Sequence, residues 1–357
     1  MKVDGRWRRA LEIADDRASI VVLDQVRLPY AVAWLTVDDL AGVERAIRDM
    51  HVRGAPLIGA TAACGVAIGL QAGLPLDEID RRLAATRPTA VNLRWALDRM
   101  RALIVDGGGK PDAARAWTAA AAICEDEVAR CEAIGDHGVA LIEQARAGDR
   151  PVRVLTHCNA GWLATVDWGT ALAPIYKAHE RGLAVHVWVD ETRPRNQGLL
   201  TAWELAAHGV PHTVIADNAG GHLMQHGEVD LCIVGTDRTS RDGDVCNKIG
   251  TYLKALAAHD SGIPFYVAAP SPSIDWSLTS PAGTLPRIEI EERSGDEVRW
   301  ITGHGGTRAH AVGPAHAVAN PAFDITPRRL VTAIITERGI ATPAALAAQF
   351  PDQAATR

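Results

Sequence analysis

Cys158 and Asp237 carry the residue types and the settings that proton chemistry needs. Each follows a short apolar run of the kind that forms a buried strand. Each also has neighbours through which a ligand can approach: Asn159-Ala160-Gly161 after the cysteine, Gly235 and Arg238 around the aspartate. A thiol in such a turn can serve as acid or base, or it can pack as an inert small apolar group. A carboxyl partly withdrawn from water keeps its proton toward neutral pH and can give it and take it back. The competing roles for Asp237 are a helix cap or a salt bridge with Arg238.

Two further segments are suited to an anion. Arg53-Gly54-Ala55-Pro56 enters a helix through proline in its first turn, and the loop 239–248 ends at Lys248 where another helix begins. Backbone amides at such starts point outward and favour negative charge, to which Lys248 adds a full positive one. Arg94, in the helical run after Pro88, can project its guanidinium fork toward the same cleft. Gln197, in the loop 193–198, is a two-way hydrogen bonder suited to sugar hydroxyls. Other chemistries lack their motifs. His222 and His226 stand in HLMQH, without the glutamate of HExxH or a third ligand, and His304, His310 and His316 have no ligand spacing, so no metal site is predicted. Gly107-Gly108-Gly109-Lys110 lacks the P-loop spacing and reads as a loop between helices. Neither GxGxxG after a strand nor GxSxG occurs, which removes the support for dehydrogenase and serine-hydrolase readings.

These residues need elements to bring them together. At about 150 residues per domain, 357 residues make two domains. Residues 1–149 carry helix signals almost throughout, with runs at 40–50, 57–70, 77–85, 91–103 and 112–134. From 150 to 357 the pattern changes to apolar, β-branched runs at 152–155, 184–189, 213–215, 231–234 and 265–268, separated by helical stretches. That is the βαβ rhythm of a parallel sheet covered on both faces, and ligands of such sheets bind at the carboxyl ends of the strands. The fold class predicted is therefore α/β, a mostly helical N-terminal domain followed by a parallel-sheet C-terminal domain. Beyond the strands, 287–292 and 297–301 flank Ser294-Gly295-Asp296 as a predicted hairpin. Thr326 and Pro327 open a predicted last helix over 328–338, stopped by Gly339, and 351–357 is predicted to fray.

Composition excludes several classes. Hydrophobic residues make up 47% and charged residues 22%, a globular balance with ample material for a core. Lys and Arg number 37 against 43 for Asp and Glu, and the net charge of −6 repels a phosphate backbone, so nucleic acid is not an expected partner. No stretch reaches the roughly 20 uninterrupted apolar residues of a membrane span. The best candidate, 55–70, is broken by glycines and Thr61, so no membrane partner is expected. Lys2, Arg6, Arg8 and Arg9 are followed by no apolar run, which leaves a cytoplasmic address as the expectation. The six cysteines form no CxxC pair and are expected to be reduced.

Five segments together carry a resemblance: Arg53-Gly54-Ala55-Pro56, Thr156-His157-Cys158-Asn159-Ala160-Gly161, the run from Asp190 to Gly198, Gly235-Thr236-Asp237-Arg238, and the run from Gly243 to Thr251. In this order they resemble the methylthioribose-1-phosphate isomerase family of methionine salvage, within the superfamily of initiation factor 2B alpha, beta and delta subunits. The similarity runs from near residue 20 to Gly339 and includes Asn320-Pro321-Ala322-Phe323-Asp324. The resemblance implies an aldose–ketose isomerase that converts 5-methylthioribose 1-phosphate to 5-methylthioribulose 1-phosphate without cofactor or metal. It further implies a Rossmann-like C-terminal domain and a homodimer. The implied catalytic pair is Asp237, as proton donor, with Cys158, as acid/base or transition-state stabiliser. The implied substrate-binding residues are Arg53, Gly54, Ala55, Arg94, Gln197, Asn247 and Lys248. Thr236 and Cys246 replace alanines common in the family, and Trp162 replaces a smaller residue. All three are expected near the pocket, where they bear on the substituent at the sugar's fifth carbon. The alternatives are a related sugar 1-phosphate (5-deoxyribose 1-phosphate or ribose 1,5-bisphosphate) or a non-catalytic regulatory subunit. Against the last stands the presence of both Cys158 and Asp237.

Overall fold

Residues 1–3, 5–105, 111–281, 283–303 and 306–354 are described by the structure, a computed structural model. The segment 107–110 and His304 lie outside the described residues. The chain opens on strands rather than helices. β1 (Lys2–Val3) and β2 (Arg6–Trp7) pair with each other, and β3 (Leu11–Ile13), β4 (Ile20–Leu23) and β5 (Trp34–Val37) form an antiparallel sheet. The β-branched run Ile20-Val21-Val22 suits a pleated, half-buried surface, and Ile20 and Val22 are wholly buried there.

The helical reading holds from residue 40: α1 (Leu40–Arg48), α2 (Ala55–Gln71), α3 (Leu76–Ala84), α4 (Val91–Val105) and α5 (Ala113–Gln144). Asp112 caps α5 by accepting from the Arg115 backbone N–H at 2.8 Å. α2 is apolar all round, so it becomes the buried axis against which the other helices pack. The 32 residues of α5 serve two cores. Ala116 and Ile123 join the N-terminal core, whereas Ile134, Val139 and Ile142 join the core on one face of the C-terminal sheet.

The C-terminal part begins β6 (Val152–Thr156), α6 (Ala173–Glu180), β7 (Val185–Asp190), α7 (Gly198–His208), β8 (His212–Ile215), α8 (Ala219–Gln225) and β9 (Leu231–Val234). It continues β10 (Arg238–Ser240), β11 (Val245–Lys248), α9 (Thr251–Asp260), β12 (Phe265–Ala268) and β13 (Ile274–Asp275). The main sheet has seven strands in the order β18-β17-β12-β9-β6-β7-β8, where β17 is Ala333–Thr336 and β18 is Gly339–Ala341. Neighbours from β8 to β17 are parallel, and β18 adds antiparallel at the edge. The six parallel strands thus run 3-2-1-4-5-6 in chain order, the doubly wound arrangement.

Three expectations are corrected. Residues 328–338 form a short turn, Arg328–Leu330, and then β17, not a helix. Pro327 opens the turn, but Val331-Thr332-Ala333-Ile334-Ile335-Thr336 is a β-branched run that pairs with β12, and Ala333–Thr336 is buried throughout. The predicted hairpin about Ser294-Gly295-Asp296 is instead α10 (Asp296–Arg299) leading into β14 (Trp300–Thr302), which pairs with β15 (Arg308–His310). β16 (Phe323–Thr326) pairs with β11 in a second sheet of order β13-β10-β11-β16. After β18 come α11 (Leu346–Gln349) and α12 (Pro351–Ala354), so the described part of the predicted frayed tail is a helical turn.

Candidate active site

In a sheet of this order the connections leave in opposite directions from the two central strands, opening a crevice at their carboxyl ends. Here those strands are β6 and β9, directly paired. Cys158 follows β6 and Asp237 follows β9, so the strand order alone brings them to the mouth of one crevice. Both line a cavity that Arg53, Gly54, Ala55 and Arg87 close from the helical part, and Asn247, Lys248 and Arg293 from the C-terminal part.

Cys158 has φ of 66°, a left-handed conformation uncommon for a residue with a Cβ. The turn is held at both ends: the Cys158 backbone N–H donates to Thr192 Oγ1 at 2.8 Å, and its carbonyl accepts from Thr201 Oγ1 at 2.8 Å. Asp237 donates its backbone N–H to the Cys246 carbonyl at 3.0 Å, while its carboxyl faces the cavity with no hydrogen-bond or ion-pair partner among the described residues. Burial raises its pKa above the usual carboxylate range, opposed by the charges of Arg87, Lys248 and Arg238. A carboxyl so placed can hold a proton for transfer.

Four cations line the same cavity. Arg53 donates to the side chain and the backbone carbonyl of Asn159, at 2.5 and 2.8 Å. Lys248 lies 4.6 Å over the Phe323 ring, and burial lowers the pKa of its ammonium. Arg87 pairs with Glu291 at 3.2 Å and Arg293 with Glu297 at 2.7 Å. Gln197 also reaches the cavity, where its buried Oε1 has no partner, an acceptor left for a bound hydroxyl. Gly54 is required by space: with φ of 96°, a Cβ there would lie 2.5 Å from the Ala164 Cα. Asn247 donates to Thr251 Oγ1 at 3.1 Å and so ties β11 to the start of α9.

The cavity gathers Cys158, Asp237, Arg53, Gly54, Ala55, Gln197, Asn247 and Lys248. Arg94 is not among them. It lies on the solvent face of α4, bound to Asp80 and Asp98 at 2.7 Å each, because Leu93, Ala96, Leu97 and Met100 claim the inward face. Arg87, seven residues earlier and just before Pro88, lines the cavity, and sequence reasoning passed it over. Arg293 was missed too, since it comes from a stretch with no periodic signal. Of the three departures from family pattern, Thr236 lines the cavity. Cys246 is buried in β11 outside the lining, with its thiol pushed up to about 12 by burial, and the Trp162 ring stacks on Trp203, 6.4 Å between centroids.

The rings of His222 and His226 lie tilted against each other, 4.2 Å between centroids, and His226 Nδ1 contacts the His222 carbonyl at 2.8 Å, an arrangement that caps α8. His157, Asp190 and Asp217 lie close enough together to hold an ion, and Asp190 Oδ1 is buried without a hydrogen-bond partner, while their other ligand atoms are engaged within the protein. Lys254 Nζ sits 3.1 Å from Asp190 Oδ2, His157 bridges Asp190 and the Ile249 carbonyl at 2.8 Å each, and Asp217 accepts the N–H groups of Thr192 and Arg193. That cluster fixes the loops on either side of Cys158 and Lys248. No helix among the described residues is long and apolar enough to cross a membrane.

The family pattern described as the initiation factor 2 subunit family matches residues 51–343. A methylthioribose-1-phosphate isomerase of Methylobacterium nodulans is 58% identical over 349 residues, covering 96% of this chain and 95% of its own. Among solved structures, the 5-methylthioribose 1-phosphate isomerase of Pyrococcus horikoshii superposes with a TM-score of 0.83 at 37% identity, over 98% of this chain and 97% of its own. The delta subunit of translation initiation factor eIF-2B from A. fulgidus superposes with a TM-score of 0.77 at 36% identity, over 95% and 97% respectively.

Proposed function

We propose, since the chain belongs to the initiation factor 2 subunit family and within it to the methylthioribose-1-phosphate isomerases, that Asp237 is the proton donor of an aldose–ketose isomerisation and Cys158 its partner at the migrating hydrogen. The enzyme is an isomerase of a methylthioribose 1-phosphate-type sugar in methionine salvage. The observation that carries the residue roles is the meeting of Cys158 and Asp237, from paired strands, in one cavity rich in cations.

The chemistry follows from the substrate. Phosphate on the anomeric oxygen prevents the ring from opening by mutarotation, so the bond from C1 to the ring oxygen breaks only when that oxygen receives a proton. Asp237, whose protonated form burial favours, supplies it. Hydrogen then passes from C2 to C1, and the 2-hydroxyl gives up its proton as it becomes the ketone. One proton is delivered and one collected, so Asp237 can end as it began. C1 is reduced and C2 oxidised within one molecule, which requires no external redox partner. Cys158 supports either route for the hydrogen, as acid/base for an enediol path or as a weakly polar wall beside a hydride shift. Arg53, Arg87, Lys248 and Arg293 neutralise the phosphate, and Gln197 Oε1 accepts a sugar hydroxyl. Methylthioribose 1-phosphate is the proposed substrate, with 5-deoxyribose 1-phosphate sharing the same phosphate and ring contacts.

The test is incubation of the purified protein with methylthioribose, deoxyribose and ribose phosphates, followed by carbon NMR. Ketose from methylthioribose 1-phosphate is the expected result, and its absence sinks the assignment. The same reaction in deuterated water separates the routes: deuterium at C1 marks the enediol path.

A further inference from the structure

Glu204 on α7 is fully buried and lies outside the cavity lining, yet three donors converge on it. The Trp162 backbone N–H and the Tyr176 hydroxyl each donate to Oε2 at 2.7 Å, and the Asn159 side-chain amide donates to Oε1. The turn after Cys158 is moulded to this carboxyl, for a Cβ on Gly161 would lie 2.3 Å from Oε2. The other end of the Asn159 amide holds Arg53, whose Nη1 donates to Asn159 Oδ1 at 2.5 Å. Asn159 Nδ2 also donates to Thr201 Oγ1 at 3.1 Å, and that hydroxyl donates to the Cys158 carbonyl. No carboxylate lies within ion-pair distance of Arg53 among the described residues, so Asn159 is its link to negative charge.

We propose that Glu204 is a positioning residue of the isomerase, which fixes the direction of the Asn159 amide and through it the place of the Arg53 guanidinium in the cavity. The proposal rests on the reading that Arg53 binds the sugar phosphate. The reasoning is one of donors and acceptors. A carboxylate only accepts, so the Asn159 NH2 must face Glu204 and its carbonyl oxygen must face Arg53, which only donates. Were the amide reversed, donor would meet donor at Arg53 and acceptor would meet acceptor at Glu204. Burial raises the Glu204 carboxyl to about 7, but a proton on it has an outlet in the Tyr176 hydroxyl, which can turn to accept it. The direction of Asn159 therefore survives in either charge state.

A glutamine at 204 breaks this logic without changing shape. Its oxygen must take the Trp162 N–H, which cannot turn, and its NH2 then faces Asn159. The Asn159 amide reverses and presents its own NH2 to Arg53. The test is a cycle of wild type, E204Q, R53A and the double variant, each checked for folding by thermal unfolding, with kcat and KM measured on methylthioribose 1-phosphate. A hydrogen bond to a charged group is worth about 1.5–3 kcal/mol, so E204Q alone is expected to lower kcat/KM by about 10- to 100-fold. In the R53A background the same substitution should change it by less than about threefold, because the coupling has no endpoint. Equal losses in both backgrounds overturn the proposal and leave Glu204 a scaffold residue. Wild-type kcat/KM in R53A overturns both the reading of Arg53 and the inference built on it. Should E204Q fail to fold, N159A takes its place in the cycle, and additivity with R53A there overturns the proposal equally.

Discussion

Replacing Asp237 by asparagine isolates the proton from everything else the side chain does. The carboxyl has no partner among the described residues, so asparagine, of the same shape, breaks no hydrogen bond on entering the cavity. What it removes is the proposed general acid, and positioned acids contribute about 10²- to 10⁴-fold, or roughly 3–5 kcal/mol of barrier. D237N should therefore lose that much kcat while binding inorganic phosphate as before. Stability moves the other way. The folded-state pKa of Asp237 is raised, so the stability it contributes is complete below the pKa of the unfolded chain and is lost as pH rises through the folded value. Asparagine suffers no such loss, and D237N should be at least as stable as wild type at pH 8, with the difference vanishing toward pH 4. The wild-type rate should fall along the same limb, as the protonated acid disappears. Kinetics, phosphate calorimetry and urea unfolding at the two pH values read all three quantities. A kcat within tenfold of wild type, or a D237N protein clearly less stable at pH 8, would refute the reasoning.

Other outcomes follow from the same geometry. C158S keeps the turn's backbone bonds to Thr192 and Thr201, so it should fold normally but lose about 10²-fold in kcat as general acid–base assistance or dry packing is weakened; a near wild-type rate reduces the thiol to filler. R87A should raise KM by about tenfold or more through a lost charge-assisted contact, whereas R94A should leave it within about twofold, and the reverse ranking would restore Arg94 to the site. Glu127, buried beside Cys131, has its carboxyl raised from 4.5 to about 7, so the wild type should lose about 3 kcal/mol of stability from this group as pH climbs from 4.5 to 7. In E127Q that portion of the decline should be absent from unfolding free energies at pH 4.5 and 8; an unchanged slope would show that the carboxyl is hydrated.

Much of this architecture can be read from local pattern. The runs at β6, β7, β9 and β12 are short, apolar and β-branched, and nothing competes with that signal. Where two signals overlap, the louder one misleads. Pro327 announces a helix start, but the β-branched run behind it supplies the partner that β12 needs. Arg94 shows a signal that was available and unused: with Leu93, Ala96, Leu97 and Met100 inward, the helical period already turns residue 94 toward water. Glu204 and Arg293 are different. Their surroundings include Asn159 and Met50, residues 45 and 243 positions away, and chain-local spacing carries almost no trace of such distant pairings.

The cavity has no single owner. Arg53 and Arg87 belong to the helical half, Lys248 and Arg293 to the sheet, so a phosphoryl group seated among them ties the two halves of the polypeptide as a clasp would. Ligand occupancy then adds to the cohesion of the whole molecule rather than of either part, and departure of the product is the moment when the seam between them is weakest.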